Sequence, residues 1–212
     1  ALLPVSHGFA KVVEHAGLTG LRTIENGVSN FPIVTKRPSA NGKVRLAHIG
    51  GANRHKGYHH VRNALLTTKF DNLELLVIDH ALSADIEIKE TWGNTMVLRR
   101  GKFSQDEIGR LYEMIDVLLA PSTWPESYGL VTREAAAAGA WIVASDQGGI
   151  GSDVTEGENG FVVDVSTHEG VKEALKTIDA DPDRYRHKPK LKAKLRSVEA
   201  QVDDLVDLYR EL

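Results

Sequence analysis

The chain has 212 residues, 42% of them hydrophobic and 26% charged, which suits one α/β domain with a full apolar core. With 26 basic residues against 29 acidic and a net charge of −3, the overall balance gives no reason to expect nucleic acid as a partner. No apolar run approaches the ~20 residues of a membrane-spanning helix, and the lack of cysteine excludes disulfides and Cys-ligated metal while fitting a reducing, cytoplasmic location.

The opening stretch, ALLPVSHGFAKVVEHAGL, has no basic start, apolar centre and small-residue cleavage site of a signal peptide. Residues 1–35 read as a helix and a short strand, an edge element rather than a domain, and the polar stretch Thr35 to Lys43 reads as a linker. Continuous apolar bursts then predict buried strands at Arg45 to Ile49, Leu73 to Ile78, Met96 to Leu98, Val117 to Ala120 and Trp141 to Ser145. Ser104 with Glu107, and Ser166 with Glu169, form S-x-x-E capping boxes ahead of helical apolar spacing. A last helix is predicted over Ser197 to Leu212, with Val198, Val202, Leu205 and Tyr209 on one stripe. Strand alternating with helix predicts an α/β fold, a Rossmann-like doubly wound parallel sheet with helices on both faces and its core over residues 44–180. Arg184 to Arg196, basic at every even position, reads as a solvated connector; contact with anionic headgroups at the inner membrane face is the alternative.

Ligands of such sheets sit beyond the carboxyl ends of the strands, where Pro121 to Gly129 falls. The segment follows a strand and opens a helix of about ten residues, so unpaired N–H groups near Ser127 to Val131 and the helix dipole suit a phosphate or pyrophosphate. Gly129, without a Cβ, is expected to let the anion approach the backbone. Glu126 and Glu134 bracket the turn. As a pair they suit a sugar at one end and a ribose at the other; alternatively they are a surface glutamate and one that stabilises the helix dipole. Trp124 is either an apolar platform in a sugar pocket or a packing residue. His55, His59 and His60 include an i, i+4 pair of the kind found in metal sites, but no third ligand stands out, and a solvated helix start is preferred.

The segment PSTWPESYGLVTREAAAAGAWIVASDQGGI resembles the donor-binding signature of the retaining, two-lobed (GT-B) glycosyltransferases, which include glycogen synthases and bacterial lipopolysaccharide and polysaccharide transferases. Glu25-Asn26-Gly27-Val28 is similar to that family's N-G-V segment, Ile49 to Gly57 (IGGANRHKG) to its G-R-x-x-x-x-K-G loop, and Glu158 to Phe161 to its N-G-[FL] turn. The resemblance implies that Glu126 contacts hydroxyls of the transferred sugar and that Glu134 holds the ribose. It implies further that backbone amides around Ser127, Tyr128, Gly129 and Leu130 hold the diphosphate, and that Lys56 adds positive charge at the leaving group. No metal or other cofactor is implied. Departures concern the clamp: Gly51 stands where the family carries Arg, Arg54 is a candidate substitute or simply an exposed loop residue, and Ser152 stands where a Glu is frequent. The strand Leu73 to Ile78 ends in Asp79-His80 rather than Gly-x-Gly.

The activity implied is transfer of a sugar from a nucleoside-diphosphate sugar to a hydroxyl of a glycan or lipid-linked saccharide, with retention. Such enzymes pair a donor lobe with an N-terminal acceptor lobe, and 212 residues have room for the donor lobe alone, so the fragment is expected to bind the donor weakly without transferring it. The alternatives are a non-catalytic nucleotide-sugar-binding module, and an epimerase or phosphorylase on a similar fold.

Overall fold

The computed structural model describes residues 2–28, 31, 34–190 and 195–211. Seven strands, β1 (Val44–Ile49), β2 (Leu73–Ile78), β3 (Glu87–Trp92), β4 (Thr95–Arg100), β5 (Val117–Ala120), β6 (Trp141–Ser145) and β7 (Gly160–Val163), form one sheet in the order β3-β4-β2-β1-β5-β6-β7. Neighbours run parallel except β3 and β4. The chain therefore winds outward from β1 on one side and from β5 on the other. Loops at such a reversal diverge and leave a crevice between β1 and β5.

The central strands are apolar throughout because both faces are covered. Side chains alternate between two core clusters: Val44 and Leu46 of β1, Val117 and Leu119 of β5, and Trp141 and Val143 of β6 enter one, while Ala47, Leu118 and Ile142 enter the other. Helices α2 (Tyr58–Thr67), α5 (Glu169–Ala180) and α6 (Pro182–Arg186) cover the first face. Helices α3 (Ile108–Glu113) and α4 (Leu130–Ala137) cover the second. No helix among the described residues is long and apolar enough to cross a membrane.

Several expectations need correction. The sheet is mixed rather than wholly parallel, since β3 adds an antiparallel edge through the Gly93-Asn94 turn, where Gly93 takes φ 58°. The edge strand EIKETW escapes an apolar-run search because it is half solvated and alternates exposed with part-buried residues. The strand at Met96 to Leu98 is the middle of the longer β4. Ser166 does not cap α5: its hydroxyl donates to Asp164 Oδ2 at 2.9 Å, and Thr167 Oγ1 accepts the Glu169 N–H instead. Ser104 donates to the Glu107 carboxylate ahead of a 3-10 turn, so α3 begins only at Ile108. Arg184 and Arg186 belong to α6 rather than to a connector, and residues 191–194 of the basic run lie outside the described residues.

Before the linker, the chain forms α1 (His7–His15) and isolated bridges, Leu2 with Leu21 and Val28 with Ser197, and adds no strand to the sheet among the described residues. The last helix, α7 (Val198–Glu211), matches the expected span, with Leu212 outside the described residues. Its buried residue is Leu208, while Val202 and Tyr209 of the expected stripe are exposed.

Candidate functional site

A cleft of about 660 Å³ opens at the carboxyl ends of β1 and β5, at the reversal in strand order. His48, Ile49 and Gly50 line it from β1, Leu119 and Ala120 from β5, and Glu126 to Val131 from the turn into α4. Lys56 and Glu126 meet there, with Nζ 2.6 Å from Oε1. Ser122 Oγ lies 3.0 Å from the same oxygen, and Glu126 Oε2 makes no hydrogen bond among the described residues.

The turn into α4 is held in place through its carbonyls. Ser6 Oγ donates to the Ser127 carbonyl at 2.6 Å, and Arg133 Nη1 donates to the Tyr128 carbonyl. The Arg133 guanidinium also stacks on the Tyr128 ring at 3.8 Å and pairs through Nε with Asp153 at 2.8 Å. The Glu126 carbonyl accepts from Gly149 N at 2.6 Å. The N–H groups of Ser127 to Val131 have no hydrogen-bond partner among the described residues. This is a helix start with its dipole and donors exposed toward a cleft, the arrangement that binds an anion.

Gly129 lines the cleft, and the fold places a further demand on it. It sits at φ 75°, and a Cβ there would lie 2.8 Å from Ile150 Cα, so glycine is required by backbone conformation and by packing against Ile150. The Tyr128 side chain is buried, its hydroxyl donating to the Asn26 carbonyl at 2.7 Å.

Gly51, Arg54 and Glu134 are not among the cleft-lining residues. At Gly51, φ is 63° and a Cβ would meet Asp79 Oδ1 at 2.9 Å; Asp79 is held by Arg99 at 2.8 Å, which keeps its carboxyl below the ordinary value. The left-handed backbone and Asp79, the residue after β2, together account for a glycine at this position. Arg54 is exposed; burial lowers the pKa values of His59 and His60, and the Arg54 charge adds to that. Glu134 is half-buried, with Oε2 accepting from the Tyr112 hydroxyl at 2.8 Å; burial raises its carboxyl above the ordinary range and the tyrosine partly offsets this. His59 and His60 stack at 3.9 Å between ring centres, and no group of metal-ligating side chains assembles among the described residues.

Residues 32–196 match the sequence profile of the glycosyl transferases group 1. The chain belongs to this family. Glycogen synthase of Mycobacterium tuberculosis is 29% identical over 174 residues, covering 78% of this chain and 41% of that protein. Among solved structures, Anabaena HepE in complex with UDP-glucose superposes with a TM-score of 0.76 at 18% identity, over 99% of this chain and 63% of that one. The C-terminal domain of a glycosyl transferase group 1 protein from Francisella tularensis matches over 88% of this chain and 96% of its own length, with a TM-score of 0.54 at 17% identity. The chain thus spans about two fifths of the glycogen synthase it matches.

Three contributors to the site are not legible in the sequence of this group 1 chain. Arg133 reads as an ordinary helix charge until α4 buries it. Ser6 is 121 residues from the carbonyl it holds. His48 lies in the cleft wall with Nδ1 3.0 Å from the Leu119 carbonyl, and burial lowers its pKa to about 4. The apolar setting of β1 hides it, although a histidine inside a buried strand at a switch point is a usable signal.

Proposed function

We propose that this chain is the donor-binding lobe of a retaining, two-lobed (GT-B) glycosyltransferase. It moves a sugar from a nucleoside-diphosphate sugar to a hydroxyl of a glycan or lipid-linked saccharide. The observation that carries this reading is the Lys56–Glu126 pair facing the same cleft as the unpartnered amides of Ser127 to Val131. An ammonium and a helix start suit a diphosphate, and a carboxylate with one free oxygen suits sugar hydroxyls. The presence of UDP-glucose in the related HepE structure supports a donor of this class.

In the transfer, the bond from the anomeric carbon to the diphosphate oxygen breaks and its electron pair leaves with the diphosphate, while the acceptor oxygen bonds to the same carbon and its hydroxyl proton passes to the departing diphosphate oxygen. Lys56 and the α4 amides stabilise the charge that develops on the leaving group, the largest contribution such a site makes. Glu126 orients the sugar through its hydroxyls. Glu134 stands outside the cleft wall itself; with one oxygen fixed by Tyr112, its other oxygen is left for the ribose. No metal takes part, since Lys56 and the helix dipole supply the positive charge. The acceptor side belongs to a second lobe, so the 212-residue chain binds donor without transferring it.

Calorimetric titration with UDP-, GDP- and ADP-sugars tests the reading. Heat is expected with one of them and is expected to fall in Glu134→Ala; no heat with any of the three overturns it.

A further inference from the structure

Two of the three tryptophans are core residues, Trp92 and Trp141 at 3% and 4% exposure, whereas Trp124 is 61% exposed. Packing therefore does not account for it. Leaving an indole in water forgoes the stabilisation of burial, and the segment that carries it is held in place on both sides. Thr123 N donates to the His55 carbonyl at 2.9 Å, Ser122 Oγ reaches the same carbonyl at 2.7 Å, and Trp124 N donates to Ser122 Oγ at 3.3 Å. The indole meets the His55 ring edge to face, 5.7 Å between centres at 74°. The ring is thus supported from one side and open to solvent on the other; Trp124 and His55 do not line the cleft themselves, but their chain neighbours Lys56, Ser122 and Glu126 do, which sets the indole beside its wall.

What stands beside it identifies the class of ligand. His55 adjoins Lys56, and Trp124 is two residues before Glu126, whose Oε1 holds Lys56 Nζ at 2.6 Å and whose Oε2 is free among the described residues. A pyranose has an apolar C–H face and a hydroxyl rim. An exposed aromatic ring next to a fixed carboxylate matches both at once.

We propose that Trp124, supported by His55, is a stacking platform for a pyranose ring at the cleft rim, with Glu126 Oε2 accepting from that ring's hydroxyls. The proposal rests on the sugar-transfer reading of the cleft for the identity of its neighbours. The ring can belong to the donor or to a saccharide acceptor, and the chemistry of recognition is the same.

The test is acrylamide quenching of tryptophan fluorescence, which reports Trp124 because the other two indoles are buried. The probes are UDP, UDP-glucose, GDP-mannose, ADP-glucose and maltotriose, the last alone and together with UDP. Protection by a nucleotide-sugar but not by UDP assigns the platform to the donor ring. Protection by maltotriose assigns it to the acceptor. In either case Trp124→Ala is expected to weaken the protecting probe about tenfold and Trp124→Phe to restore most of that loss. Affinity for UDP and the thermal midpoint are expected to stay unchanged. A nucleotide-sugar that gives calorimetric heat yet leaves Trp124 fully open to acrylamide, with maltotriose equally without effect, overturns the platform while the donor-lobe reading stands. Maltotriose protection without heat from any nucleotide-sugar sustains the platform and sinks the donor-lobe reading. Neither heat nor protection from any probe overturns both.

Discussion

Lys56 Nζ lies 2.6 Å from Glu126 Oε1, so the cation assigned to the leaving group and the carboxylate assigned to the sugar are each other's partner in the cleft. A diphosphate must compete with Glu126 for that ammonium. The two substitutions should therefore move affinity in opposite directions. Lys56→Met is expected to weaken whichever of UDP, GDP or ADP binds by about 10- to 100-fold, the loss of a charge-assisted hydrogen bond. Glu126→Gln, which releases Lys56, is expected to tighten the same nucleotide by about two- to fivefold, since a partly exposed pair is worth little by itself. Calorimetry decides the matter, and a Glu126→Gln variant that binds the nucleotide more weakly than the parent rules out the competition.

Arg133 holds the turn from below. Its guanidinium reaches the Tyr128 carbonyl, the Tyr128 ring and Asp153, and it is buried. Replacing it with methionine keeps the apolar stem but removes the donor from a buried carbonyl, a cost of about 2–3 kcal/mol. In a chain of this size that corresponds to a thermal midpoint lower by roughly 4–12 °C. Arg210→Met, which breaks only an exposed pair with Asp207, is the control and should shift the midpoint little. Equal shifts in the two variants would count against the pinning role.

The parts of the molecule that could be read in advance are those where one local rule decides. The buried strands of the sheet centre declare themselves because both faces are covered. Lys56 and Glu126 could be named separately, but their pairing across 70 residues depends on β1 lying beside β5, which no local rule states. The β3 edge was hidden because a half-solvated strand carries charges. Glu134 is legible as a helix carboxylate, yet its partner is Tyr112 on a neighbouring helix, a contact set by how α3 and α4 pack on the same sheet face. Gly129 is legible as a glycine at a helix start, but its close approach to Ile150 is set by the fold alone.

That contact gives a direct test. Gly129→Ala forces a side chain into a left-handed conformation at φ 75° and places its Cβ 2.8 Å from Ile150 Cα. The expected loss is about 1–3 kcal/mol in urea unfolding, with nucleotide binding weakened because the α4 amides shift. Gly157→Ala provides the comparison: its φ is 72° but a Cβ there meets nothing within 4 Å, so it is expected to show only the conformational share of the cost, about 1 kcal/mol. Equal losses at the two glycines would mean that Ile150 contributes nothing.

His48 makes stability depend on pH in a predictable direction. Burial lowers its pKa from 6.5 to about 4, while the Leu119 carbonyl, a proton acceptor, opposes that shift and Lys56 adds to it. Because the folded value lies below the unfolded one, the unfolded chain binds the proton first as pH falls. The stabilisation is complete above about pH 6.5 and is lost progressively toward pH 4, amounting to roughly 3 kcal/mol over the whole range. Urea unfolding between pH 7 and pH 4.5 should therefore show falling stability in the parent chain. His48→Asn keeps a donor for Leu119 without a titrating ring, so its stability should be lower at pH 7 but flatter across the same window, with the acidic groups common to both chains cancelling in the comparison. Parallel curves for the two chains would show that His48 does not carry the dependence.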